Sequence, residues 1–232
     1  MDLDTKRKFR IAHQHYASYG LVGVVQIRRS TEREKGPWNM SASKIVIVFH
    51  SGYGHTRKIA EAVAEGSSGE LLAISSEGEL PAGGWELLQA AQAIVFGAPT
   101  YMGMVPWQFK KFADASSKVW FEQSWKDKLA AGFTNSASMS GDKLLTLHYL
   151  FALSQQHSML WVGAGTMPSN TKAATRNDIN YIGSFCGLMT ATPADASVDE
   201  MVPSDIETAK VFGRRVAEAV VAFVPESRLV PA

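Results

Sequence analysis

The stretch Ser51-Gly52-Tyr53-Gly54-His55-Thr56 has the composition of an anion cradle. It links an apolar, strand-like run to a helix-forming stretch. Ser51 and Thr56 offer hydroxyl donors. The N–H groups that open the following helix carry partial positive charge. No lysine follows in the manner of a nucleoside-triphosphate loop, so the guest that suits these residues is a phosphomonoester held by neutral donors. An ordinary glycine-rich turn capped by Ser51 or Thr56 fits the same residues.

Two further loops offer complementary chemistry. The first runs from Gly97 through Pro99-Thr100-Tyr101-Met102-Gly103 to Pro106. Prolines at both ends stiffen it. Tyr101, Met102 and Met104 form a flat, polarisable surface suited to an aromatic ring system whose edge is read by backbone groups. A core-capping loop with a buried tyrosine is the alternative. The second, Asn135-Ser136-Ala137-Ser138-Met139-Ser140-Gly141, is small, polar and leads into a helix. It can present N–H groups, though by itself it says little.

Other candidates carry less. His13 and His15 stand two apart with no second ligand pair, so a metal site is not expected. Cys186 is the single cysteine and lacks an activating partner in sequence, which points to a structural role. No Gly-x-Ser-x-Gly elbow surrounds any serine, so a hydrolase triad has no support. His148 reads as a packing or surface residue, and Trp85, Trp107, Trp125 and Trp161 as core or interface residues.

The elements that must position these loops alternate in type. Lys44–Phe49 is a β-branched apolar run typical of a strand buried on both faces. Ile59, Ala60, Val63 and Ala64 follow at helical spacing, with Gly66 as a stop. Leu71–Ile74, Ala93–Phe96, Leu129–Thr134 and Met159–Val162 read as further strands. Helices are expected after Pro106, over Gly141–Gln156 and over Pro203–Val224. Such alternation implies a parallel sheet covered on both faces. Five strands favour an α/β, three-layer, doubly wound fold of order 2-1-3-4-5. In that fold, ligands sit beyond the carboxyl ends of the strands, where the three loops converge.

Composition supports a packed α/β chain: 232 residues, 46% hydrophobic and 19% charged. A net charge of +1 gives no electrostatic case for nucleic acid or an anionic membrane. One cysteine excludes an internal disulfide framework and fits a reducing, cytoplasmic compartment. No apolar run reaches the ~20 residues that span a bilayer. Charge is uneven: residues 1–40 hold eight Lys/Arg against four Asp/Glu, the remainder fifteen against eighteen. Two domains follow from this: an extension over residues 1–42, expected to be a poorly ordered tail, and the α/β domain over 43–232. The basic start, interrupted by His13, Gln14 and His15, reads as no secretion signal. A sharper alternative makes Tyr19–Ile27 an edge strand or a partner-binding arm.

Lys44–Gly66, Gly97–Pro106 and Asn135–Gly141 together resemble the flavodoxin superfamily. Within it they resemble the tryptophan-repressor-binding-protein (WrbA) type of NAD(P)H:quinone oxidoreductase, over residues 43–224. The resemblance implies FMN as cofactor and two-electron transfer from NAD(P)H to a quinone or similar small acceptor. It implies that Ser51, Tyr53, Gly54, His55 and Thr56 wrap the FMN phosphate. Pro99, Thr100, Tyr101, Met102 and Gly103 would border the isoalloxazine, and Asn135, Ser136, Ala137, Ser138, Met139, Ser140 and Gly141 its polar edge. Trp120 matches a tryptophan that faces the flavin, and His157 a histidine near it, often reached across a subunit interface; both are the expected catalytic residues. The long Gly163–Val202 segment would shape the site and support a homo-oligomer, a dimer or tetramer. This sequence departs from the family in having little glycine after the fourth strand and Tyr101-Met102 after Pro-Thr. The alternative is a flavodoxin-like one-electron carrier for a protein partner. Such carriers tend to be strongly acidic, whereas the residues beyond position 40 here carry only −3.

Overall fold

The computed structural model describes residues 44–223, and the expectations for the N-terminal extension lie outside them. The core begins with strand β1, Ile45–Phe49, and helix α1, His55–Ser67. Strand β2, Glu70–Ala73, and helix α2, Gly84–Ala90, follow. Next come β3, Ala93–Pro99; α3, Trp107–Ala115; and the short α4, Ser117–Phe121. Strand β4, Leu129–Ser136, leads to α5, Lys143–Gln156. The described residues close with β5, Leu160–Trp161; β6, Leu188–Ala191; and α6, Pro203–Phe223.

The sheet is parallel with order β2-β1-β3-β4-β5, as the sequence pattern requires, and β6 also pairs with β4. β1 shows why the layers form. All five of its residues are buried, with Ile45, Ile47 and Phe49 facing one cluster and Val46 and Val48 the other. Two apolar faces demand two covering layers. α1 and α6 cover the first face and cross closely, since an added Cβ at Gly213 would stand 2.2 Å from the Val63 carbonyl oxygen. α3 and α5 contribute Phe109, Phe112, Leu147 and Leu150 to the second.

The fifth strand departs from expectation. Only Leu160 and Trp161 pair with β4, opposite Leu129 and Ala130. The far half of that edge is taken by β6, with Phe133 opposite Leu188 and Ser136 opposite Ala191. The edge is thus completed from within the Gly163–Val202 segment, which sequence reasoning left without a strand. The short Leu188–Ala191 run carries too little periodicity to be distinguished from loop.

Register places the site. Phe49 lies opposite Gly97, and Pro99 opposite Asn135. The loops after β1, β3 and β4 therefore emerge side by side within two strand spacings, about 10 Å. Among the described residues no helix is long and apolar enough to cross a membrane.

Candidate functional site

The loop after β1 is built around its own serine. Ser51 Oγ accepts from the amides of Gly54 at 3.1 Å and Arg57 at 3.2 Å, which folds the chain tightly into α1. Gly54 has φ 91°, a conformation other residues adopt only with strain. The amides of Tyr53, His55 and Thr56 have no protein acceptor among the described residues. Nor does the Thr56 hydroxyl, on a side chain that is 2% exposed. Three free N–H groups and a hydroxyl at a helix N-terminus form a ready anion site.

The loop after β3 supplies a wall. A buried hydroxyl chain anchors it: Thr100 Oγ1 lies 2.8 Å from both Thr134 and Thr146, and the Thr100 amide donates to the Asn135 carbonyl. Tyr101 and Met104 exchange backbone hydrogen bonds across a two-residue turn formed by Met102 and Gly103, with φ of 47° and 81°. Both signs are positive, as a type I′ turn requires. Tyr101 meets Tyr53 edge-on, ring centroids 6.0 Å apart. Burial raises the Tyr101 phenol above its ordinary pKa, so the hydroxyl stays protonated. Met102 and Gly103 project past this wall, and the Met102 side chain is fully exposed.

The loop after β4 closes the other side. Asn135 is buried and its Oδ1 accepts from the hydroxyls of Thr190 at 2.9 Å and Thr192 at 3.1 Å. Its amide nitrogen has no protein partner among the described residues. Ser136 and Ala137 follow at the rim, whereas Met139 and Ser140 turn away to line a neighbouring cavity of about 710 Å³. Lys143, at the start of α5, donates to Ser136 Oγ at 2.9 Å and to the Ser138 carbonyl.

These walls enclose a crevice of about 90 Å³ lined by Tyr53, His55, Thr56, Pro99, Tyr101 and Asn135, with Thr100, Ser136 and Ala137 beside them. Eleven residues line it in all, and two, Thr192 and Ala194, were missed by sequence reasoning. They follow β6, whose pairing sets them next to Ser136. The Ala196 carbonyl in the same stretch lies 2.7 Å from His55 Nε2 and ties it to α1. Pro193 after an apolar run was the one available hint. Lys143 was also missed; a lysine in a helix's first turn, where acids are favoured, was the sign to follow.

Trp120 and His157 do not line this crevice within a single chain, and the reach across a subunit interface expected of His157 lies between chains. α5 runs back from the carboxyl edge of the sheet and delivers His157 to the opposite one. There the Ser158 carbonyl accepts from Asp127, just ahead of β4. The eight residues of β4 put about 23 Å between the two edges. His157 is 3% exposed, packs on Trp125 at 4.4 Å, and shares a 2.9 Å hydrogen bond between Nε2 and Ser116 Oγ. Its Nδ1 has no partner among the described residues. Burial pulls its pKa down to about 4, so the ring is neutral. Trp120 stands on α4, just past Ser116, and is half-exposed.

The arrangement has close counterparts. A family model described as NADPH-dependent FMN reductase matches residues 84–174. A curated relative, flavodoxin FldP of Pseudomonas aeruginosa, is 51% identical over 175 residues, covering 75% of this chain and 95% of its own. The chain belongs to the WrbA-type flavodoxin-like FMN proteins. A solved WrbA-like flavodoxin from Agrobacterium tumefaciens is 49% identical, with a TM-score of 0.64, over 78% of this chain and 99% of that one. An NAD(P)H dehydrogenase (quinone) from Aromatoleum aromaticum is 31% identical over 207 residues, 78% of this chain and 97% of the relative. The flavodoxin-like site fits such a nucleotide on its own chemistry. The free amides of Tyr53, His55 and Thr56 suit a phosphate, and the Tyr101 wall facing Asn135 and Ser136 suits a ring with polar edges.

Proposed function

We propose that this chain is an oxidoreductase that binds FMN in the crevice and passes two electrons from NAD(P)H to a quinone or similar small acceptor. The observation that carries the reading is the set of unpaired donors at the start of α1, opening on a crevice walled by Tyr101 and Asn135. When bound, the flavin supplies the redox chemistry, taking a hydride from the nicotinamide and returning two electrons, with protons, to the quinone. The protein's part is to hold and orient. Tyr53, His55 and Thr56 amides and the Thr56 hydroxyl would grip the phosphate. Tyr101 would border one side of the ring. Asn135, Ser136 and the loop to Gly141 would meet its polar edge.

A second reading has its own support: a one-electron carrier for a protein partner, because a relative at 51% identity carries the name flavodoxin. The two part on measurement. The purified chain is expected to be yellow or to take up FMN, and then to oxidise NAD(P)H faster when benzoquinone is added. A long-lived one-electron-reduced spectrum with negligible NAD(P)H oxidation favours the carrier. A colourless chain that ignores FMN sinks both.

Self-association is part of the proposal. Leu144, Leu145 and Phe151 on α5 and Leu160 on β5 are exposed, with relative exposures between 39% and 53%. α5 carries apolar residues all round, which a helix facing water does not need. Gel filtration of the full chain tests this; a monomer at micromolar concentration overturns it.

A further inference from the structure

Lys143 is wholly buried, with 0% relative exposure, in the first turn of α5. That is a costly place for an ammonium. Burial strips its water, and a helix N-terminus repels positive charge. Its hydrogen-bond partners are neutral oxygens, Ser136 Oγ and the Ser138 carbonyl. Among the described residues no carboxylate stands within ion-pair distance of it. Asp205 acts on it from farther off and is itself paired with Arg176, whose charge opposes it. Burial draws its pKa down to about 8, so it remains cationic at neutral pH. Packing alone does not require the charge, because an apolar side chain of similar volume would fill the space at lower cost. Position does give it a use. Lys143 lines the 710 Å³ cavity with Met139 and Met189, and its Nζ holds Ser136, which lines the crevice.

We propose that Lys143 is a positioning residue whose uncompensated charge, set behind the Ser136–Gly141 loop, makes the crevice favour reduced over oxidised flavin. The inference rests on the flavin reading above. A hydride from NAD(P)H brings two electrons and one proton to a neutral ring and leaves it one net negative charge. A fixed cation in a low-dielectric wall offsets that charge without reorganising. Electron loss to a quinone removes the same charge, so the cation biases the half-reaction towards two-electron reduction.

The test compares unaltered chain with Lys143→Gln and Lys143→Arg. FMN uptake by the unaltered chain, read from its visible spectrum, tests the parent reading, and its absence overturns both. The two-electron midpoint potential of the FMN-bound proteins at pH 7 tests Lys143 alone. Lys143→Gln is expected to bind oxidised FMN nearly as well and reduced FMN about tenfold more weakly, a fall of about 30 mV. Lys143→Arg keeps the charge and is expected to stay near the unaltered potential. A Gln variant with unchanged potential, or an Arg variant that falls as far as the Gln variant, overturns the proposal and leaves the flavin reading standing. Lys143→Met takes the place of the Gln variant should that fail to fold.

Discussion

The Tyr101 hydroxyl rests against the backbone of Gly52, standing 2.6 Å from where a Cβ there would lie. This contact bridges the loops after β1 and β3 and sets the angle of the aromatic wall. Gly52→Ala forces the ring away. FMN and riboflavin affinities are both expected to drop by about tenfold, or ~1.4 kcal/mol, in fluorescence titrations. Affinities equal to those of the unaltered chain would show that the contact does not shape the site.

The phosphate end makes a separable prediction. Ser51→Ala with Thr56→Val removes the serine that folds the loop and the free hydroxyl beside the open amides. Hydrogen bonds to a charged group contribute about 1.5–3 kcal/mol each. The double variant is therefore expected to lose FMN affinity by at least about tenfold while binding riboflavin, which has no phosphate, as before. Equal losses for both ligands would mean that the anion sits elsewhere.

His157 makes stability depend on pH. Its folded pKa is about 4 against an ordinary 6.5. Between those values the unfolded chain binds more protons than the folded one. Stability from this group is thus full above about pH 6.5 and declines as pH falls towards 4, by up to about 3 kcal/mol. Urea midpoints at pH 7 and pH 5 should differ more for the unaltered chain than for His157→Gln. Parallel shifts in both would assign the pH dependence to other groups.

Gly213 tests the packing of the layer behind β1. An added Cβ would press on the Val63 carbonyl of α1 at 2.2 Å, where the backbone of a packed helix has little room to yield. Gly213→Ala is expected to lower stability by about 1–3 kcal/mol, read as a lower melting temperature. Gly103→Ala, where nothing lies within 4 Å of the added Cβ, isolates the cost of positive φ alone.

Much of the fold was legible because burial on both faces leaves a local mark. The Lys44–Phe49 run shows it, as do the strands later found at Ala93–Pro99 and Leu129–Ser136. The loops carrying Thr56, Tyr101 and Asn135 were readable for a related reason. In a doubly wound sheet, a loop after a buried strand has one place to be. β6 was not readable, since four residues paired to one neighbour leave no periodicity of their own.

The sequence by itself determined the order of β1 to β5 in the sheet, and with it the convergence of residues 51–56, 99–101 and 135–137 at one rim. Local chemistry was enough there, because hydroxyls, glycines and an aromatic ring keep their character wherever the chain carries them. Only the tertiary structure decided which side chains became walls: that Thr192 and Ala194 close the crevice, that Lys143 is buried behind it, and that His157 lies at the far edge. Those outcomes depend on how far each helix runs back across the sheet and on which neighbour pairs with β4. Contacts between residues distant in sequence settle both, and no short stretch of the chain encodes them alone.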